Sequence, residues 1–368
     1  MFQLAVLFLS ITILIYQLFK EYKKYVQKSL NPILQKTTSI DPNFKWYNNE
    51  PLKIRPFVGK TNFNPKMGIK NISSTPNDWL LIEDTYLKCT NLKQESLTKI
   101  PEQTMYISND LRSINALKEF YSLVFKFYMK RYPQYFQYNN STDEITNKIN
   151  GFKSKLSTPK ISTDQMLLNL GSNMEEDFIL LLKDHNPKDP NEEYILKGSI
   201  VGFPAGFDAT DLFNKPISYI HEPVPQYEKN LKSSMHKFFN NLKIGDLWIR
   251  YNWSVQTHSN YFTLNNHGRS GDKLKKLSIS DIDFDNGCFL RCERQILFRL
   301  PLSGAIIMTT RTYLTNLNQI KKEGLASDMI FGIRSVPDDL GFYKKREVWG
   351  DAVIEFLSKD KEKNVEKI

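Results

Sequence analysis

Residues 247–256 alternate with a period of two, the spacing of an extended strand rather than a helix. Trp248, Arg250, Asn252 and Ser254 take one face, and Ile249, Tyr251, Trp253 and Val255 take the other. A strand face carrying Arg250 and Asn252 inside a protein needs a polar object to meet, because an unpaired buried arginine is costly. Residues 290–300 repeat the pattern, with Arg291, Glu293, Gln295, Leu297 and Arg299 on one face. Leu300-Pro301-Leu302-Ser303-Gly304 turns the chain. Residues 305–313 run back, with Met308, Thr310 and Thr312 alternating against Ile307, Thr309, Arg311 and Tyr313. The chain must therefore build an antiparallel sheet on which Glu293 and several arginines come together.

Upstream lies a histidine beside a Pro-x-Pro bracket, Ile220-His221-Glu222-Pro223-Val224-Pro225. The two prolines pin φ on either side of Val224 and bias Glu222 toward an extended conformation, so His221 is expected on rigid backbone. Residues 227–241 follow as an amphipathic helix with Leu231, Met235, Phe238, Phe239 and Leu242 inward. The clearest helix is 108–135, where Ile114, Leu117, Phe120, Tyr121, Val124, Phe125 and Tyr128 recur at three- and four-residue spacing. This aromatic stripe reads as core. Residues 177–183 and 194–203 read as a hairpin, 317–330 and 338–357 as helices, and Asp78 as the cap of a short helix. The Asn/Ser/Thr/Lys-rich stretch 139–160 reads as a surface excursion.

Residues 2–19 are apolar except for Gln3, Ser10, Thr12 and Gln17. About 18 residues at 1.5 Å each span roughly 27 Å, just enough for a bilayer core. No basic residue precedes the run, no small-x-small cleavage site follows it, and Lys20, Lys23, Lys24 and Lys28 come next. The expectation is an uncleaved single-pass anchor in the ER or mitochondrial outer membrane, with the rest of the chain in the cytosol. On that orientation none of the sequons at Asn71, Asn140 and Asn252 carries glycan. The expected organisation is an anchor at 1–19, a juxtamembrane linker at 20–50, one domain at 51–357 and a charged tail at 358–368. The net charge of +10 is spread as scattered lysines with no nucleic-acid-binding signature, so no nucleic-acid partner is expected. Cys89, Cys288 and Cys292 form neither a disulfide framework nor a zinc site and read as reduced thiols.

Dinucleotide, P-loop, zinc-protease and nucleophile-elbow patterns are all missing from the sequence. His185, His236, His258 and His267 read as surface histidines. His221 is either a satisfied structural histidine in a turn or an axial ligand of haem iron, for which one imidazole suffices. Arg250, Arg299 and Arg311 are candidates to meet haem propionates, since a planar guanidinium forks onto carboxylate.

A series of ordered short motifs extends this reading: Trp79-Leu-x-Ile-x-x-x-Tyr86, Tyr128-x-x-Arg-Tyr-Pro133, Phe203-Pro-x-Gly-Phe-Asp208, Ile220-His-x-Pro-Val-Pro-x-Tyr227, Arg250-x-Asn-Trp-Ser-x-Gln256, Arg291-x-Glu-Arg-Gln295 and Arg299-Leu-Pro-x-Ser-Gly-Ala305, with Arg311-Thr-Tyr313 after it. Together, over roughly 51–357, they resemble the haem-dependent oxidative N-demethylase family of fungi and bacteria. The resemblance implies an α+β fold, a PAS-like antiparallel sheet with flanking helices, here preceded by the N-terminal transmembrane helix. It also implies a haem b enzyme that uses O₂ to demethylate a small secondary amine such as dimethylamine, giving a primary amine and formaldehyde. His221 would be the iron ligand, Tyr227, Trp253, Arg299 and Arg311 would contact the cofactor, and Glu293 and Arg250 would be the catalytic pair. Glu293 would hold the substrate ammonium or manage protons near O₂; a plain Glu–Arg ion pair is its alternative. The chain ends too soon after this domain to hold a reductase, so electrons would come from NADPH through a separate flavin or iron–sulfur partner. The competing expectation is a non-enzymatic, membrane-tethered haem- or ligand-binding sensor module.

Overall fold

The computed structural model describes residues 16–17, 31–59, 67–269 and 271–359. The architecture is mixed α and β, with two antiparallel sheets. The strands in chain order are β1 (Lys70–Asn71), β2 (Met105–Ile107), β3 (Phe136–Asn139), β4 (Glu144–Asn147), β5 (Lys153–Lys155), β6 (Asp177–Leu182), β7 (Ile195–Ile200), β8 (Trp248–Gln256), β9 (Phe289–Arg299) and β10 (Ile306–Asn316). The large sheet has seven strands in the order β1-β8-β9-β10-β6-β7-β2, and β3-β4-β5 form a small meander. The β6–β7 hairpin and the β8, β9, β10 run lie where the alternation places them, and β10 joins β6 to close the two sets into one sheet.

Strand parity divides the sheet into two unlike faces. Ile249, Ile296, Phe298, Ile307, Phe178 and Leu180 pack against the helix Leu111–Arg131, whose Phe120 lies 4.7 Å from Phe178 between ring centroids. At the far end of that face Leu290, Cys292 and Tyr313 meet the helices Ala326–Ser335 and Arg346–Ser358 through Met329, Ile333, Trp349 and Val353. The other face carries Leu181, Leu297 and Ile306, covered by the chain from Tyr194 to Leu242 through Ile217, Tyr227, Met235 and Phe239. Around this third cluster Tyr106, Ile179, Phe213, Ile220, Val224, Trp248 and Met308 are only partly buried, which leaves an apolar surface half open.

Several expectations are corrected. No helix among the described residues is long and apolar enough to cross a membrane, so the single-pass anchor and the membrane location built on it are withdrawn. Apart from Tyr16 and Gln17, the stretch 2–19 lies outside the described residues. Its physical case rested on a marginal length interrupted by four polar residues. Residues 31–50 pack onto the domain: the helix Pro32–Lys36, capped by Asn31, buries Ile33 in the main core. Residues 139–160 contain most of the small meander, which buries Ile145 and Asn147. Asp78 ends a 3-10 turn, whereas the helix nearby is Tyr86–Lys99, which hides Lys93 and Thr90 and so lacks a clear apolar stripe. Glu222 is helical (φ −50°, ψ −43°), because the helix Ile217–His221 runs up to Pro223 and overrides the pre-proline preference. The expected helix at 338–357 is two helices, Asp338–Tyr343 and Arg346–Ser358, broken by left-handed Lys345 at φ 53°.

Candidate functional site

The polar rows lie on the half-open face of the sheet. Register sets Asn252 opposite Glu293 and Glu293 opposite Thr312; one step along, Arg250 faces Gln295 and Gln295 faces Thr310. The next row on the same face is apolar, running Trp248, Leu297, Met308 and Ile179. Glu293 Oε2 accepts from Gln295 Nε2 at 3.1 Å and from Asn252 Nδ2 at 3.4 Å. Its Oε1 lies 3.7 Å from Arg291 Nε and accepts no hydrogen bond among the described residues. Arg291 is nearly fully buried and committed elsewhere, donating to the carbonyls of Phe203 at 2.7 Å and Tyr261 at 3.1 Å. One carboxylate oxygen of Glu293 is thus held by two amides, and the other meets only Arg291 Nε, which has no hydrogen-bond partner of its own among the described residues.

Arg250 is the unfinished part of this face. Its Nε is buried without a hydrogen-bond partner, and so is Gln295 Oε1 directly across the strand pair. Burial pushes the Arg250 pKa down, against an opposing attraction from Glu293, so the protein holds this charge at a cost. A buried polar atom with no partner is rare enough in a folded chain to require an account.

His221 approaches from the covering segment. It ends the helix Ile217–His221, and its Nδ1 lies 3.0 Å from the Ile217 carbonyl. That geometry fixes Nδ1 as the donor and leaves Nε2 as a lone-pair nitrogen. Nε2 makes no hydrogen bond among the described residues. Tyr227 stacks on the imidazole at 5.0 Å with an interplanar angle of 19°, which fixes the ring plane. Burial, reinforced by the positive charge of Arg250, lowers the His221 pKa, so the ring is neutral at pH 7. A neutral imidazole with a backbone-anchored Nδ1–H is the form that ligates a metal.

The site has a member that period and motif did not single out. Lys344 stands in the turn between the last two helices and donates to Asn252 Oδ1 at 3.1 Å and to the Trp253 carbonyl at 2.6 Å. Burial lowers its pKa to about 8, opposed by Glu293 and helped by Arg250. In sequence it is one of two adjacent lysines with nothing to mark it, and only the turn at Lys345 directs it onto β8.

Other expected site residues lie elsewhere. Arg299 shares the parity of Glu293 but is used up at the far end of the face. It donates to the carbonyls of Leu242, Gly304 and Phe239 and to the Tyr194 hydroxyl, at 2.6–3.0 Å. Arg311 is on the opposite face, buried among Glu83, Glu175 and Glu176. Trp253 also points to the opposite face, edge-on to Phe57 at 5.7 Å, and only its carbonyl serves the site. Neither of the latter two has access to a ligand between His221 and Arg250. His258 pairs with Asn266, His236 with the Pro190 carbonyl and His185 with Glu192. His267, stacked on Tyr343 at 4.3 Å, is driven by burial and nearby cations to a pKa of about 3 and stays neutral.

The family model described as haem-dependent oxidative N-demethylase, alpha subunit-like, matches residues 68–354, a span that includes every residue of this site. A comparison with curated proteins gives no match.

Proposed function

The chain belongs to the haem-dependent oxidative N-demethylase, alpha subunit-like, family, and from that premise we propose that it oxidatively demethylates a small secondary amine of the dimethylamine type. The observation that carries this reading is the convergence of three unfinished groups on one side of the sheet. They are the open Nε2 of His221, the unpartnered Nε of Arg250 and Oε1 of Glu293, whose one ion-pair partner among the described residues is Arg291 Nε at 3.7 Å. Beside them lies the partly buried apolar surface of Ile179, Trp248, Met308, Ile220 and Val224. This combination fits haem b, which needs one imidazole, an apolar slot and a cation for its anionic groups or for polarised dioxygen.

His221 would hold the iron through Nε2, with Ile217 and Tyr227 fixing the tautomer and ring plane. Haem b, when bound, would supply the activation of O₂. Glu293 Oε1 would accept an N–H of the substrate ammonium, because a carboxylate is the one group here that attracts a cation among so many positive side chains. Arg250 would stabilise negative charge on the oxygen side of the reaction. The overall change balances as R–NH–CH₃ + O₂ + 2H⁺ + 2e⁻ → R–NH₂ + CH₂O + H₂O. The two electrons would come from NADPH through a separate flavin or iron–sulfur reductase.

The test is to load the full chain with haem, record its absorption spectrum, then add dimethylamine, O₂ and a chemical reductant and assay formaldehyde. The wild type is expected to give a Soret band and formaldehyde. His221→Ala should lose or shift the band. Glu293→Gln should keep it while turnover falls by roughly 10²–10⁴-fold. A wild type without a Soret band would sink the reading. A Soret band without formaldehyde would favour a ligand-binding module instead.

A further inference from the structure

The turn that carries Lys344 is pinned from four directions. Its own N–H donates to the Leu340 carbonyl, and its carbonyl accepts from Trp349 Nε1 at 3.1 Å. On either side the Tyr343 carbonyl accepts from Gly268 N at 2.9 Å, and Lys345 N donates to the Phe342 carbonyl. Gly268 fits only because it has no side chain, since a Cβ there would stand 2.5 Å from the Phe342 carbonyl oxygen. Backbone fixed this firmly aims a side chain. A surface lysine normally keeps its ammonium in water, whereas this one turns it onto the edge of β8 and binds Asn252 and Trp253.

The consequence falls on an amide. An asparagine side chain has a donor end and an acceptor end, and its surroundings decide which way it points. An ammonium is donor-only, so Lys344 fixes Oδ1 of Asn252 toward itself and Nδ2 toward Glu293 Oε2. We propose that Lys344 is a positioning residue for Glu293, holding Oε2 of the carboxylate through Asn252 so that Oε1, which meets only Arg291 at 3.7 Å, is presented to the amine. The role rests on the assignment of Glu293 as the substrate-binding group. Without the ammonium, Asn252 Oδ1 loses its donor and the amide is held only by the long 3.4 Å contact with Glu293 Oε2, which loosens the carboxylate from its position.

The titratable and charged groups facing Lys344 are Glu293 and Cys292 on β9, Arg250 on β8, and His267 from the loop that packs against Tyr343. Of these, Glu293 is the carboxylate, and its attraction favours the Lys344 ammonium against burial. Removing its charge should therefore make the ammonium harder to keep.

Two measurements on the full chain test this. The first needs neither haem nor substrate: competitive acetylation of Lys344 by acetic anhydride across pH, read by mass spectrometry, in the wild type and in Glu293→Gln. The expected midpoint is near 8 in the wild type and lower in Glu293→Gln. An ordinary lysine midpoint, unmoved by Glu293→Gln, would overturn the proposal. The second is the pH profile of formaldehyde formation in the haem-loaded wild type, Lys344→Met and Lys344→Arg. Lys344→Met should lose roughly ten- to a hundredfold in kcat/KM, the scale of a small misplacement of a reacting group, and lose the alkaline limb above pH 8. Lys344→Arg, which stays charged, should recover much of the loss and move the limb upward. Equal loss in both variants with an unchanged limb would mean a purely structural lysine. If the wild type forms no formaldehyde, the functional reading falls, and the acetylation midpoints still decide whether Lys344 and Glu293 are coupled.

Discussion

Arg250, half-buried, and Arg311, fully buried, stand on opposite faces of one sheet, and they differ in nearly everything that matters. Arg311 is 1% exposed and reaches Glu83 at 2.6 Å, Glu175 at 2.5 Å and the Leu81 carbonyl at 2.6 Å, with Glu176 at 3.6 Å. Among the described residues Arg250 meets no carboxylate within ion-pair distance, and its Nε is unpartnered. The difference teaches how to tell a structural cation from a working one. Where the chain supplies its own anions to completion, the arginine is part of the core; where it leaves the guanidinium waiting, a ligand is expected.

The sharpest way to break this comparison is Arg311→Leu. It strands three carboxylates beside Tyr313 and Tyr86, and the expected cost is about 3–5 kcal/mol of unfolding free energy by urea titration. Arg250→Leu should change the stability of the ligand-free protein by less than about 1 kcal/mol, because it removes a charge that was never paired. Its effect should appear instead as a lost or altered spectral response to haem and amine. Similar destabilisation in the two variants would erase the distinction.

A further expected effect concerns pH. Burial, with Glu176 and Glu83 adding to it, raises the Glu175 pKa to about 7 against the pull of Arg311. Unfolded, this carboxyl titrates near the ordinary 4.5. Between those values the folded state binds more protons than the unfolded state, so stability falls as pH rises from about 4.5 to 7. Urea titrations at pH 5 and pH 7 should show that decline, and Glu175→Gln should flatten it. A stability that rises over this window in the wild type and is indifferent to Glu175→Gln would mean the carboxylate is ionised throughout.

Much of the central sheet was legible because alternation is a strong signal. The faces within each of β8, β9 and β10 follow from parity, which already separates Arg250 from Trp253, but only the register, Thr312 opposite Glu293, puts Arg311 on the other face from Glu293. What parity lacks is depth along the face. It assigns Arg299 and Arg250 to the same side but does not show that Arg299 ends among the carbonyls of Leu242, Gly304 and Phe239. The helix Tyr86–Lys99 was missed because it buries Lys93 against Asp177 at 3.0 Å, and a charged residue in the core hides the apolar stripe. Lys344 was missed because its role is tertiary, set by the turn at Lys345 and the contact with Gly268.

The pairing of β8, β9 and β10 has a consequence for how this protein tolerates change. Side chains alternate strictly, so inserting or deleting one residue within β9 would exchange Glu293 for Arg294 or Cys292 on the pocket face. Such a slip would at the same time drive the carboxylate into the core built around Trp79 and Tyr313. Length variation is therefore forbidden within β9, and it is costly also where a loop residue holds the site, as Tyr261 and Gly268 do. The pocket's chemistry is written in phase as much as in residue identity.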